Sequence, residues 1–104
     1  MARKIIWSFE ATNDLKAIAD YIAKDSPFYA AAFVQEIRDA SRSLKEFSER
    51  GRVVPELSSA SVRELIIKGY RLIYGIEESR VVILGIIQGK RDLKRLWEKE
   101  QREN

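Results

Sequence analysis

The run VVILGII at residues 81–87 carries no polar side chain at any position. An extended chain turns successive side chains to opposite faces, so such a run is stable only as a strand covered on both sides. It is far shorter than the roughly 18–20 residues that span a bilayer. The chain must therefore build a sheet around the segment Arg80–Gln88, with apolar cover above and below it.

Two further strands precede this one, Val62–Ile67 and Tyr70–Ile76, joined by the dipeptide Lys68-Gly69. A two-residue hairpin turn there pairs Ile67 with Tyr70, Leu65 with Leu72 and Ile66 with Arg71. The alternation then sorts the side chains. Tyr70, Leu72, Tyr74 and Ile76 share a face with Leu65 and Ile67, whereas Arg71, Ile73 and Gly75 share the other with Glu64 and Ile66. Residues 77–79 form a second short turn into the last strand.

The first half of the chain is helical in period. After a β-type segment at residues 4–9, Ser8 caps a helix in which Ala11, Leu15, Ile18 and Ile22 form one stripe. Ser26 and Pro27 are the N-cap and first residue of a second helix, striped by Ala30, Phe33, Val34, Ile37, Ala40, Ser41, Leu44 and Phe47. Two such helices make a hairpin whose apolar faces need a sheet. Residues 48–61 break both periodicities and read as a connector. Residues 92–103 form a polar helix with Leu93, Leu96 and Trp97 as its apolar contacts. The predicted order is β-α-α-β-β-β-α. This is an α+β single domain spanning 1–104, with the strand and helical hairpin packed on an antiparallel sheet.

The 104 residues, 45% hydrophobic and 34% charged, suit one self-sufficient core. The chain has no Cys and no His, which excludes thiol nucleophiles, a Ser-His-Asp triad and ordinary zinc sites. No cofactor or metal is expected. Neither a signal peptide nor a membrane span is legible, and the expected location is cytoplasmic. Charge is unevenly placed: residues 50–95 hold 10 basic and 5 acidic side chains, whereas residues 1–49 hold 7 and 8. That asymmetry favours an anionic partner.

Arg71 is the odd residue of its strand. Either its stem packs on apolar surface, with the head in water or paired to Glu64, or the strand presents it to an anion. Gly75 leaves space beside it, and the segment Gly89-Lys90-Arg91 brings a second basic group back towards the same exposed face. Lys90 and Arg91 therefore join Arg71 as candidate anion- or target-binding residues.

The segments DLKAIADYIAKDSP, GRVVPEL, RELIIKGYRLIY and VVILGIIQGKRDL occur in an order and spacing that resembles the RelE/ParE superfamily of type II toxin–antitoxin toxins. The resemblance covers about residues 5–95. It implies a helical hairpin on an antiparallel sheet and a cognate acidic antitoxin that masks the basic surface. RelE-like members cut mRNA at the ribosome; ParE-like members inhibit DNA gyrase. Arg71 and Arg91 match the RelE phosphate-binding arginines, and these two would be catalytic in a RelE-like enzyme. The remaining machinery does not match: Val62 and Glu64 stand where RelE has lysines, and Trp97 replaces the catalytic tyrosine. Gly51-Arg52 and the REL of Arg63-Glu64-Leu65 resemble ParE-like chains and add Arg52 and Arg63 to the target-binding candidates. Arg52 could instead pair with Glu56 in solvent, and Arg63 could cap the sheet edge near Tyr74. The expectation is a toxin of a plasmid-stabilisation module that poisons gyrase and is not an enzyme. The alternative is a RelE-like endoribonuclease acting on mRNA at the ribosome.

Overall fold

A computed structural model describes residues 2–90 together with Leu93, Trp97 and Glu98. Through residue 88 the elements follow one another as β1 (Lys4–Trp7), α1 (Phe9–Ala23), α2 (Pro27–Ser43), β2 (Arg52–Val53), β3 (Val62–Ile67), β4 (Tyr70–Ile76) and β5 (Arg80–Gln88). The two helices are punctuated as their caps dictate. The Ser8 hydroxyl accepts from the backbone N–H of Ala11, and the Ser26 hydroxyl from that of Tyr29. Each satisfies a donor that the first helical turn leaves free.

The five strands lie in the order β1-β5-β4-β3-β2. The sheet is mixed, not antiparallel as expected, because β1 runs parallel to β5. Only a tight turn obliges two strands to run antiparallel, and none links β1 to β5; the helical hairpin and three strands lie between them. The connector at residues 48–61 also differs from expectation by holding β2, whose Arg52 and Val53 pair with Glu64 and Arg63. Two residues are too few to show a period, so only pairing reveals this strand.

The β3–β4 hairpin has the expected register, Ile67 opposite Tyr70 through Val62 opposite Gly75. Its turn residues Lys68 and Gly69 both adopt positive φ, 50° and 81°. That is the twist a two-residue hairpin requires. Strand β5 is an interior strand, paired on both sides by β1 and β4, as its unbroken apolar run demands. A bulge shifts its register against β4 between Ile73 and Tyr74, so that Ile73 faces Gly85 while Tyr74 faces Ile83.

The two faces of the sheet are covered differently. Under the helices, Phe33, Ile37 and Leu44 bury Ile67, Leu72, Tyr74, Val81, Ile83 and Ile86, with Leu15, Ile18 and Ile22 at the margin. The stripe on α2 ends earlier than its sequence suggests: the helix stops at Ser43, and Phe47 lies beyond it, 64% exposed. The strand at the N-terminus likewise stops at Trp7, leaving Phe9 as the exposed first residue of α1. On the second face Val54, Val62, Ile73, Leu84, Ile87 and Leu93 form another buried cluster, joined by Leu57, Val82 and Trp97. Leu93 and Trp97 thus reach this face, while most of the predicted C-terminal helix at 92–103 lies outside the described residues. Among the described residues no helix is long and apolar enough to cross a membrane.

Candidate functional site

Strand register assembles three charged residues on the second face, and a turn brings a fourth to them. Arg52 of β2 stands directly opposite Glu64 of β3. Glu64 and Arg71 are diagonal neighbours, since Ile66 pairs with Arg71 and Glu64 with Ile73. Glu56 arrives from the turn that follows β2. Arg71 Nε donates to Glu64 Oε1 at 2.6 Å, and its two Nη atoms donate to Glu56 Oε2 and Oε1 at 2.9 and 2.7 Å. Arg52 Nε donates to Glu64 Oε2 at 2.5 Å. The result is a chain Arg52–Glu64–Arg71–Glu56 with two positive and two negative charges.

Burial sets what this chain can do. Arg71 is 4% exposed and Glu64 is as fully buried, whereas the Glu56 side chain remains 30% exposed. Desolvating either buried charge alone would cost several kcal/mol, and the bidentate fork with its charge-assisted hydrogen bonds offsets this. The Arg71 hydrogen bonds, outweighing partial burial, hold the Glu56 carboxyl below its usual range. Those same bonds, led by the one to Glu56, keep the Arg71 guanidinium even more firmly protonated than usual. The Arg71 head group is not on an open surface: it is buried and paired to Glu64, one of the alternatives its place in the strand leaves open. Three of its five N–H donors, including the paired Nη fork, are held by the Glu64 and Glu56 carboxylates, so an outside anion meets that fork only if a carboxylate leaves.

The other predicted residues lie apart. Arg63 points to the opposite face, where Nη1 donates to the carbonyl oxygens of Gly51 and Glu49 at 3.0 and 3.4 Å. Its Nε has no partner among the described residues. Arg63 and Tyr74 are register partners, and they hold the same loop. The Tyr74 hydroxyl donates to Ser48 O at 2.7 Å and accepts from the Gly51 N–H at 3.0 Å. Burial pushes that phenol up from its usual value. Gly51 has no room for a side chain: a Cβ there would meet Glu64 O at 2.5 Å and the Tyr74 hydroxyl at 2.6 Å. Lys90 is exposed in the turn after β5, and its neighbour Gly89 donates to Gly69 O at 2.9 Å. Arg91 lies outside the described residues.

Of the five candidates, then, Arg52 and Arg71 are brought together, through a carboxylate the sequence reading assigned only as a possible partner of Arg71. Arg52 pairs with Glu64, not with Glu56. Glu64 was legible: the alternation that places Arg71 on the second face places Glu64 there too, and an inward carboxylate in an apolar strand requires a cation. Glu56 carries no such signal, because a turn has no period. Chemically, the arrangement is a balanced set of two guanidinium and two carboxylate groups, each carboxylate engaged by an arginine. Tyr74 is tied to backbone, and Tyr70 packs its ring on Phe33 with centroids 5.2 Å apart. Among the described residues no group of acidic side chains could hold a metal ion.

Known proteins resemble this chain over most of its length. The sequence profile of the ParE toxin family, described as the ParE toxin of the type II toxin–antitoxin system parDE, matches residues 5–93. A curated relative, Toxin RelE2 of Caulobacter vibrioides, is 36% identical over 84 residues, covering 80% of this chain and 91% of that protein. A solved structure of the chromosomal ParDE system from P. aeruginosa superposes with a TM-score of 0.69 at 24% identity, over 84% of this chain and 96% of that one. That last likeness bears on the fold.

Proposed function

This chain belongs to the ParE toxin family of type II toxin–antitoxin systems, and on that premise we propose that it arrests growth by binding and poisoning DNA gyrase, without cutting RNA. The observation that carries the proposal is the internal neutralisation of Arg71. A ribonuclease of the RelE type needs that guanidinium turned to a scissile phosphate, together with a proton-transferring side chain beside it. Here Arg71 is enclosed by Glu56 and Glu64. Leu93 and Trp97 pack into the apolar cluster of the same face. An indole carries no proton that exchanges in the range acid–base catalysis uses. A protein that works by association needs no such group.

The family implies a cognate antitoxin. An acidic segment suits the excess of positive charge in residues 50–95, and Arg52, Arg63 and Lys90 are the candidate contacts for the target or the antitoxin. A cytoplasmic location accords with either target.

A second reading, a RelE-like endoribonuclease acting on ribosome-bound mRNA, draws support from the name of the Caulobacter relative. One experiment separates the two. The chain is expressed without its antitoxin, and plasmid supercoiling and mRNA integrity are followed together. Loss of supercoiling or DNA breakage with intact mRNA is expected. Cleavage within codons of translated mRNA, with topology unchanged, would overturn the gyrase reading.

A further inference from the structure

We propose that the outer edge of the Arg71 guanidinium is a carboxylate-binding site, occupied in the resting chain by Glu56 and open to a carboxylate of an acidic partner segment when the turn carrying Glu56 lifts. The two edges of this guanidinium are not equivalent. Its Nε edge is bonded to Glu64, which is fully buried within the sheet and cannot leave without a strand moving. Its Nη edge is bonded to Glu56, which comes from a turn and keeps 30% of its side chain in solvent. Among the described residues, Glu56 is therefore the part of the enclosure that can depart with the sheet intact.

The geometry also says what could replace it. The free edge is a planar fork of two donors, and its present occupant is a single carboxylate held by two nearly parallel hydrogen bonds, the pairing for which a guanidinium is preorganised. Glu64 sits on the adjacent edge with its charge already balanced between Arg71 and Arg52. A monoanionic carboxylate exchanging for Glu56 leaves the four-residue chain neutral. A phosphate dianion would place a second negative charge next to a buried carboxylate, where repulsion is screened poorly. The site thus favours an aspartate or glutamate side chain over a phosphate. Lifting the turn also withdraws Leu57 from the apolar cluster it packs on, so an incoming segment would need an apolar residue near its carboxylate to compensate.

The existence of the site does not depend on the toxin reading; only the identification of the partner as an antitoxin rests on it. The test uses the isolated chain, so a negative gyrase result leaves it untouched. In Glu56→Ala the fork is vacated, and its thermal midpoint is measured in sodium acetate, sodium phosphate and sodium chloride at matched ionic strength. Binding to the folded state raises the midpoint progressively, the stabilisation growing with the logarithm of one plus the ratio of free ligand concentration to Kd. The expected result is a lowered midpoint that acetate recovers, phosphate recovers less and chloride does not, with wild type indifferent to acetate. Loss of the acetate effect in Glu56→Ala/Arg71→Met places it on this guanidinium. Should Glu56→Ala fail to fold, Glu56→Ser, whose side chain is too short to reach the fork and which suits a turn, takes its place. Equal responses to acetate and chloride, or an equal acetate effect in wild type, would overturn the proposal; a larger effect of phosphate would overturn its preference for carboxylate.

Discussion

The two Nη atoms of Arg71 grip both oxygens of Glu56, at 2.9 and 2.7 Å, while its Nε holds Glu64 at 2.6 Å. A cationic residue read as a surface contact is instead the centre of a neutral polar assembly whose inner pair, Arg71 and Glu64, is buried. Its energetics are asymmetric. Breaking such an assembly by removing one partner costs far more than the assembly contributes over an apolar replacement.

Glu64→Ala should therefore be severe, by about 3–5 kcal/mol, because it leaves Arg71 Nε without its buried counter-charge. Urea denaturation, read as a shift of midpoint at unchanged slope, measures this. Replacing both residues together, as Glu64→Leu/Arg71→Met, should cost less than Glu64→Ala. A single-mutant loss below about 1 kcal/mol would reduce the assembly to the rank of an exposed ion pair.

Acid should weaken the Glu56–Arg71 contact in a defined window. Arg71 holds the Glu56 carboxyl below its ordinary 4.5 in the folded chain. A group more acidic folded than unfolded stabilises the fold above its unfolded value, and that contribution fades as pH falls through the folded value. The stability difference between wild type and Glu56→Gln should be complete at neutral pH. It should shrink as pH drops below 4.5 and vanish once Glu56 is protonated in both states. Denaturation curves of both proteins across that range check it, and a difference that grows on acidification would contradict it.

Gly51 has a steric role that any side chain would violate. A Cβ would lie 2.5 Å from a backbone oxygen of β3, which cannot swing away, and 2.6 Å from the Tyr74 hydroxyl. Gly51→Ala should cost about 1–3 kcal/mol, as overpacking does. Tyr74→Phe should cost a similar amount, about 1–3 kcal/mol, by leaving the buried Gly51 N–H and Ser48 carbonyl unpaired. Combining them removes one clash but keeps the clash with Glu64 O, so the double mutant should remain less stable than Tyr74→Phe alone. Thermal or chemical denaturation of the three variants decides this.

The β3–β4 turn can be improved. Lys68 adopts φ of 50°, a left-handed conformation that favours Asn or Gly. Its pairing with Glu36, at 3.7 Å between exposed groups, contributes little. Lys68→Asn creates the favoured Asn-Gly hairpin and should stabilise the chain by about 0.5–1 kcal/mol. Gly69→Ala, at φ of 81°, should destabilise it by about 1 kcal/mol or more. A lower melting temperature for Lys68→Asn would refute the assignment of strain to that residue.

Periodicity and punctuation, which the sequence carries locally, determined most of the fold. Ser8, Ser26 and Pro27 mark the helix starts, the Lys68-Gly69 turn sets the hairpin register, and residues 81–87 require an interior strand. The same alternation put Arg71 and Glu64 on one face. Tertiary structure decided what no local pattern encodes. It made β1 parallel to β5, paired the two residues of β2 with β3, and brought the turn residue Glu56 onto Arg71. The physical reason is range. A side chain's face follows from its own backbone, whereas the partner that neutralises a charge comes from whichever segment folding brings within about 3 Å of it. For Arg71, that segment lies fifteen residues back in a turn without a period, which is why an arginine that reads as open to an anion is already holding one.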